Sequence, residues 1–188
     1  MTQLKVPVNA SDHILGDGGA STTLVEYGDY QCPFCAAAQP VVELLRQYFG
    51  HDLRIVFRHF PLTEIHPIAG PAAETAEFAG AQGDFWSMHD SLYRNQPMLS
   101  IPVLFDLAGA LNLSRIALRD ALAAHSYAPK VRTDFSSGVR SGVNGTPTFF
   151  INGNRHDGPF TVDALAAAIT SASDQAKIVT DTSAAPHR

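Results

Sequence analysis

Apolar residues fall into three regimes along the chain. In TLVEYGDY, Thr23 to Tyr30, apolar and β-prone residues cluster before a Gly-Asp interruption, which predicts a strand. From Cys35 through AAAQPVVELLRQYF, apolar positions recur at Val41, Leu44, Leu45, Tyr48 and Phe49, and Gly50 supplies a stop. That spacing predicts a helix, kinked at Pro40 where a backbone donor is missing. LRIVFRHF, Leu53 to Phe60, alternates Leu53, Ile55 and Phe57 with Arg54 and Arg58 and reads as a second strand ended by Pro61. The chain therefore opens β-α-β.

The second regime, about residues 65 to 142, is rich in alanine, leucine and glutamate and predicts helices only. These are Pro71 to Ala81, Asp84 to Arg94 with Asp84 as N-cap, Pro102 to Ala110, Ser114 to Ala124 with Ser114 as N-cap, and Pro129 to Val139. The last places Val131, Phe135 and Val139 on one expected buried stripe, and Phe85, Trp86, Met88, Leu92 and Tyr93 form an aromatic-rich face expected in the core. In the third regime Thr148 to Ile151 reads as a strand, Asn152-Gly153 as a hairpin turn, and Thr161 to Ile169 as a capped helix. The expected division is an N-terminal extension over 1–21, a core over 22–64 and 143–171, a helical insertion over 65–142, and a loosely attached polar tail over 172–188.

With 188 residues, 45% hydrophobic and 16% charged, the chain has enough apolar material for one real core. Its net charge of −5 includes no basic stripe, which argues against a nucleic-acid partner. No apolar run reaches the roughly 18 residues of a membrane span, and the first 21 residues lack the apolar centre of a secretory signal, so the expected location is cytoplasmic. GDGGA at Gly16 to Ala20 precedes its strand and lacks the spacing of a phosphate-binding loop.

Chemistry concentrates in YQCPFC, which holds both cysteines of the chain, Cys32 and Cys35. A thiol at a helix start meets free backbone N-H groups and the positive end of the helix dipole, so Cys32 is expected to titrate below an ordinary thiol. Cys35 lies one turn later on the same face, placed to close a disulfide but too deep to attack outside molecules. That division suits exchange: Cys32 meets the partner's sulfur and Cys35 resolves the mixed disulfide. A zinc site needs four ligands, and no second cysteine or histidine pair stands at ligand spacing, so no metal is expected.

EYGDYQCPFC, Pro40 and the late GTPTFF together resemble the thioredoxin superfamily. FRHFPL, QGDFWSMHDSLY and SGVNGTPTFFING resemble its DsbA-like branch, and the likeness spans roughly residues 22 to 171. It implies an α/β thioredoxin fold, a central mixed sheet flanked by helices, carrying an inserted all-helical domain. It also implies an exposed nucleophile at Cys32, a resolving thiol at Cys35, a cis-proline at Pro147 preceded by Thr146, and a buried acid at Glu26 that accepts the Cys35 proton. Pro33 and Phe34 would shape the surface offered to cysteine-containing protein substrates and to a redox partner. Neither a metal nor an organic cofactor is implied. Phe34 stands where strongly oxidising members carry histidine, and a phenyl ring cannot hold a thiolate electrostatically, so a less oxidising couple is expected. A kappa-type glutathione-dependent transferase or isomerase, and a peptide-binding module without turnover, remain alternative readings.

Overall fold

The computed structural model describes residues 2–183, with side chains described as far as residue 175. Five strands form one mixed sheet in the order β1-β3-β2-β4-β5, with β1 at His13–Leu15, β2 at Thr22–Gly28, β3 at Leu53–His59, β4 at Thr148–Ile151 and β5 at Asn154–His156. β2 and β3 run parallel, and the other neighbours are antiparallel. Helix α1, Pro33–Phe49, makes the parallel crossover from β2 to β3. Between β3 and β4 come α2 (Ala69–Gly80), α3 (Phe85–Arg94), α4 (Ile101–Ala110), α5 (Arg115–Ala123) and α6 (Ala128–Arg140), and α7 (Val162–Ser183) ends the described chain.

Alternation along β2 decides which side chain meets which layer. Leu24 joins Leu53, Ile55 and Phe149 against Ala38, Val42 and Leu45 of α1 and Leu165 and Ile169 of α7. Val25 and Tyr27 point the other way, with Val56, Phe60 and Phe150, toward α6 and the N-terminal segment. Glu26 shares the parity of Leu24, so strand geometry places this carboxylate on the α1 side.

Several expectations change. α1 buries Cys35, Ala38, Val42 and Leu45, while Leu44 and Tyr48 are exposed, because a single helical stripe has no room for adjacent residues such as 44 and 45. On α6 the buried face is Val131, Asp134, Ser137 and Gly138, and Val139 is 54% exposed. Gly138 takes the inward place since a Cβ there would lie 2.7 Å from the Phe60 ring. Asp84 occupies the N-cap position of α3 without a side-chain cap, whereas Ser114 does accept the Ala117 N-H at 3.2 Å. Residues 1–21 contribute edge strand β1, pinned by Asp12 to the buried guanidinium of Arg58 through two 2.8 Å bonds. α7 continues beyond Ile169 through Ser183 into the expected polar tail, whose last five residues lie outside the described range.

Candidate active site

The turn after β2 is organised by Asp29, which is 1% exposed. Its carboxylate accepts the N-H groups of Gln31 at 2.7 Å and Leu62 at 2.8 Å and lies 2.8 Å from His66 Nδ1. Its backbone carbonyl accepts the Cys32 N-H at 3.1 Å. Cys32 is then the N-cap of α1, with Pro33 in the first turn, where the missing N-H costs no helical bond. From the opposite side the 3₁₀ turn Gln96–Met98 of the insertion sends Gln96 Nε2 onto the carbonyls of Cys32 at 2.7 Å and Tyr30 at 3.1 Å. The insertion therefore holds the motif's backbone in place.

Cys32 and Cys35 are both free thiols. Cys32 Sγ lies 3.2 Å from the carbonyl oxygen of Thr146, and the Thr146-Pro147 bond is cis. Cys32 is 4% exposed, much less than the resemblance implied, because its sulfur sits against the Thr146-Pro147 loop. Phe34 beside it is 64% exposed. Cys35 is fully covered.

The two thiols have opposed proton affinities. Cys32 is lowered to about 5, first by the Cys35 S-H and then by the backbone N-H groups of Cys35 and Phe34, which outweigh burial. The Thr146 hydroxyl, buried and without a hydrogen-bond partner, is a further donor available to the thiolate. The Thr146 carbonyl acts the other way, as an acceptor for the thiol proton. Burial, its hydrogen bond to Cys32 and the nearby Glu26 charge push Cys35 far above the ordinary thiol range. Beneath the pair, Glu26 is 1% exposed and receives Gln39 Nε2 at 3.1 Å on one carboxylate oxygen and 3.4 Å on the other. Burial raises it to about 8, against the opposing Gln39 hydrogen bond and with the Cys32 charge adding to the rise.

All seven residues singled out in the sequence therefore surround one point: Glu26, Cys32, Pro33, Phe34, Cys35, Thr146 and Pro147. Asp29, Gln39, His89 and Gln96 were not singled out. Gln39 stands four residues after Cys35, a spacing that puts it one turn deeper on the same face, and this was the one readable signal. Of the aromatic-rich face on α3, Phe85, Met88, Leu92 and Tyr93 are buried as expected, while Trp86 lines a cleft against α1. Among the described residues, one group stands at metal-ligand spacing: His59, Glu77 and Asp134. Glu77 already binds His13 at 2.9 Å and His59 at 2.8 Å, and Lys130 holds both Asp134 oxygens at 2.7 Å.

Residues 8–171 match the family model described as Thioredoxin, and the chain belongs to that family. Its fold is DsbA-like. It superposes on oxidised BdbD from Bacillus subtilis with a TM-score of 0.80 at 22% identity, covering 87% of this chain and 93% of that one. On alpha-DsbA1 of Wolbachia pipientis the TM-score is 0.81 at 21% identity, with 94% of this chain and 98% of that one covered. In sequence the chain is 46% identical over 170 residues to the Na(+)/H(+) antiporter NhaA 1 of Salinispora arenicola, a match that takes in 90% of this chain and 26% of that protein. The chain thus spans about a quarter of the length of the curated relatives it matches.

Proposed function

We propose that this protein is a thiol-disulfide oxidoreductase acting on cysteine-containing proteins. The observation that carries this reading is the contrast between its two thiols, a low-titrating Cys32 at the start of α1 and a covered Cys35 held as a thiol over a buried acid. In the reducing direction the Cys32 thiolate attacks a substrate disulfide and displaces one substrate thiolate. Cys35 then gives its proton to Glu26 and attacks the Cys32 sulfur of the mixed disulfide. The Cys32-Cys35 bond forms, the bond to the substrate sulfur breaks, and the substrate thiolate leaves carrying the electron pair. The dithiol's two electrons thus pass to the substrate. In the reverse sequence a substrate thiolate attacks Cys32 of the Cys32-Cys35 disulfide, Cys35 leaves and regains its proton, and two substrate thiols end as a disulfide. The backbone of Thr146, ahead of cis-Pro147, and the exposed Phe34 ring are the surfaces on which an extended substrate segment docks. The exchange draws on no metal or organic cofactor. Where a glutathione pool keeps the couple reduced, the dithiol runs as a reductant of substrate disulfides.

The antiporter names of the sequence relatives belong to proteins about three and a half times as long, and among the described residues no helix is long and apolar enough to cross a membrane. Ion transport is not part of this reading.

Cys35→Ser separates the alternatives. Incubated with a disulfide-bonded peptide, this variant is expected to accumulate a Cys32-peptide adduct stable to gel electrophoresis without reductant, and Cys32→Ser to form none. Unchanged turnover in Cys35→Ser would support glutathione-dependent chemistry, and unchanged binding with no adduct would support a non-catalytic module.

A further inference from the structure

Glu26 receives one hydrogen-bond donor among the described residues, the Gln39 carboxamide, and that donor belongs to a buried hydrogen-bonded series. Gln39 Oε1 lies 3.1 Å from His89 Nε2, and His89 Nδ1 lies 3.1 Å from the Tyr30 hydroxyl. His89 is buried and neutral, held down to about 3 first by burial and then by the charges of His59 and His13. Tyr30 is buried and keeps its proton, since burial and the surrounding carboxylates raise it. A neutral imidazole has one N-H. If Tyr30 donates to Nδ1, Nε2 carries that hydrogen and donates to Gln39 Oε1, which leaves the Gln39 N-H₂ pointing at Glu26. In that tautomer every bond in the series Tyr30, His89, Gln39, Glu26 donates toward the carboxylate, and such series strengthen their terminal bond.

We propose that Gln39, oriented by the His89-Tyr30 pair, is a positioning residue that sets the pH at which Glu26 accepts the Cys35 proton. The inference rests on the exchange reading above. Hydrogen bonding to the ionised form favours it, so the Gln39 N-H opposes the burial that keeps Glu26 protonated. A flipped carboxamide would instead present its oxygen to a carboxyl O-H and hold the proton in place. The Cys35 carbonyl disfavours that flip, because it lies 3.4 Å from the Gln39 nitrogen and accepts its second N-H, where a carboxamide oxygen would face another oxygen.

The other groups around Glu26 leave this role to Gln39. From the helix above, Cys32 and Cys35 face it, and from α3 the Tyr93 hydroxyl, buried and without a hydrogen-bond partner. On the neighbouring strands it pairs with Phe57 and Phe149, which carry no charge. Glu26, Gln39, His89 and Tyr93 line a cleft of about 740 Å³ between α1 and α3 that also carries Glu43, Arg46, Asp90 and Arg94. These four charges sum to zero, and the cleft offers a route by which Glu26 exchanges its proton with solvent.

The test follows the resolving step with an aromatic disulfide, Ellman's reagent, under stopped flow. Cys32 releases a first thionitrobenzoate, and Cys35 then releases the second by forming the Cys32-Cys35 disulfide. The rate of the second phase should rise with pH through a midpoint near the Glu26 value of about 8. In Gln39→Met and His89→Leu that midpoint is expected to move up by ~1 pH unit, making resolution at pH 7 ~10-fold slower. His89→Gln, which restores an N-H at the lost donor's place, should bring it back. The first phase should be little changed. Midpoints identical to wild type in folded variants would overturn the proposal, even if stability falls. Gln39 is only partly buried, so its variant keeps the test available if His89→Leu does not fold. A wild-type protein with no second phase would instead overturn the exchange reading, and this inference with it.

Discussion

Glu26 is a carboxyl group that the fold keeps away from water, and its discomfort should be measurable in stability as well as in chemistry. Between the ordinary glutamate value of 4.5 and about 8, the folded protein retains a proton that the unfolded chain has released. The folded state therefore binds more protons in this window, and stability falls as pH rises, by ~1.4 kcal/mol per unit for one group. Glu26→Gln is neutral in both states and removes this slope. Urea unfolding of the reduced protein at pH 5 and pH 8 should show the variant losing less stability across the interval than wild type, and being the more stable of the two at pH 8. Equal losses in the two proteins would mean that water reaches the carboxylate and relieves it. The same substitution removes the acceptor for the Cys35 proton and should slow the second phase of exchange. A gain in stability and a loss of rate from one change is what a group retained for chemistry, at a cost in folding, should produce.

Elements differ in how far their places can be read from the chain. The β-α-β opening, the six later helices and strand β4 are legible, though by different signals. α1 and α3 bury one face, which a period of 3.6 records directly. β2, β3 and β4, buried on both faces, and α2, buried along nine of its twelve residues, are read instead from their β-prone or alanine-rich composition and their boundaries. Thr148–Ile151 coincides with its expected bounds. β1 was missed because three residues carry no periodicity, and because a distant side chain anchors it: Arg58 binds both Asp12 oxygens and the carbonyls of Val6 and Pro7. The buried partners of the site were missed for the same reason. His89 meets Gln39 and Tyr30 across 50 and 59 residues, a distance no local spacing reports. The Arg58-Asp12 pair makes the edge strand testable, since both side chains are 2% exposed. Burial alone would raise Asp12, but the hydrogen bonds and charge of Arg58 outweigh it and hold the carboxyl below its ordinary value. Asp12→Ala leaves a buried guanidinium without its counter-charge, and its expected cost is ~3–5 kcal/mol in urea unfolding. A loss under ~1 kcal/mol would show that the carbonyls of Val6 and Pro7 suffice to hold the segment on the sheet.

A reduction potential belongs to the complete fold, because it measures how much more stable the protein is with a dithiol than with a disulfide. Here sheet, helix and insertion all act on that balance. α1 supplies the N-H groups that favour the Cys32 thiolate, the loop ahead of β4 supplies Thr146, and the insertion clamps the Cys32 carbonyl through Gln96. Without a histidine in the motif, Cys32 still falls to about 5, between the ~7 of thioredoxin and the ~3.5 of DsbA. The donors of the fold thus recover part of what Phe34 forgoes. The potential is accordingly expected between about −270 and −120 mV, where each 30 mV reflects about 1.4 kcal/mol in favour of the reduced form. Phe34→His should move it toward the oxidising end by adding a positive charge beside the thiolate. Equilibrating both proteins in graded glutathione buffers and trapping the free thiols measures the two values side by side. A wild-type value near −120 mV would mean that backbone and Thr146 donors suffice for a strong oxidant, and would favour disulfide formation in an oxidising compartment. A value near −270 mV would mean that the thiolate's donors count for little against the stability of the disulfide, and would favour reduction in the cytoplasm.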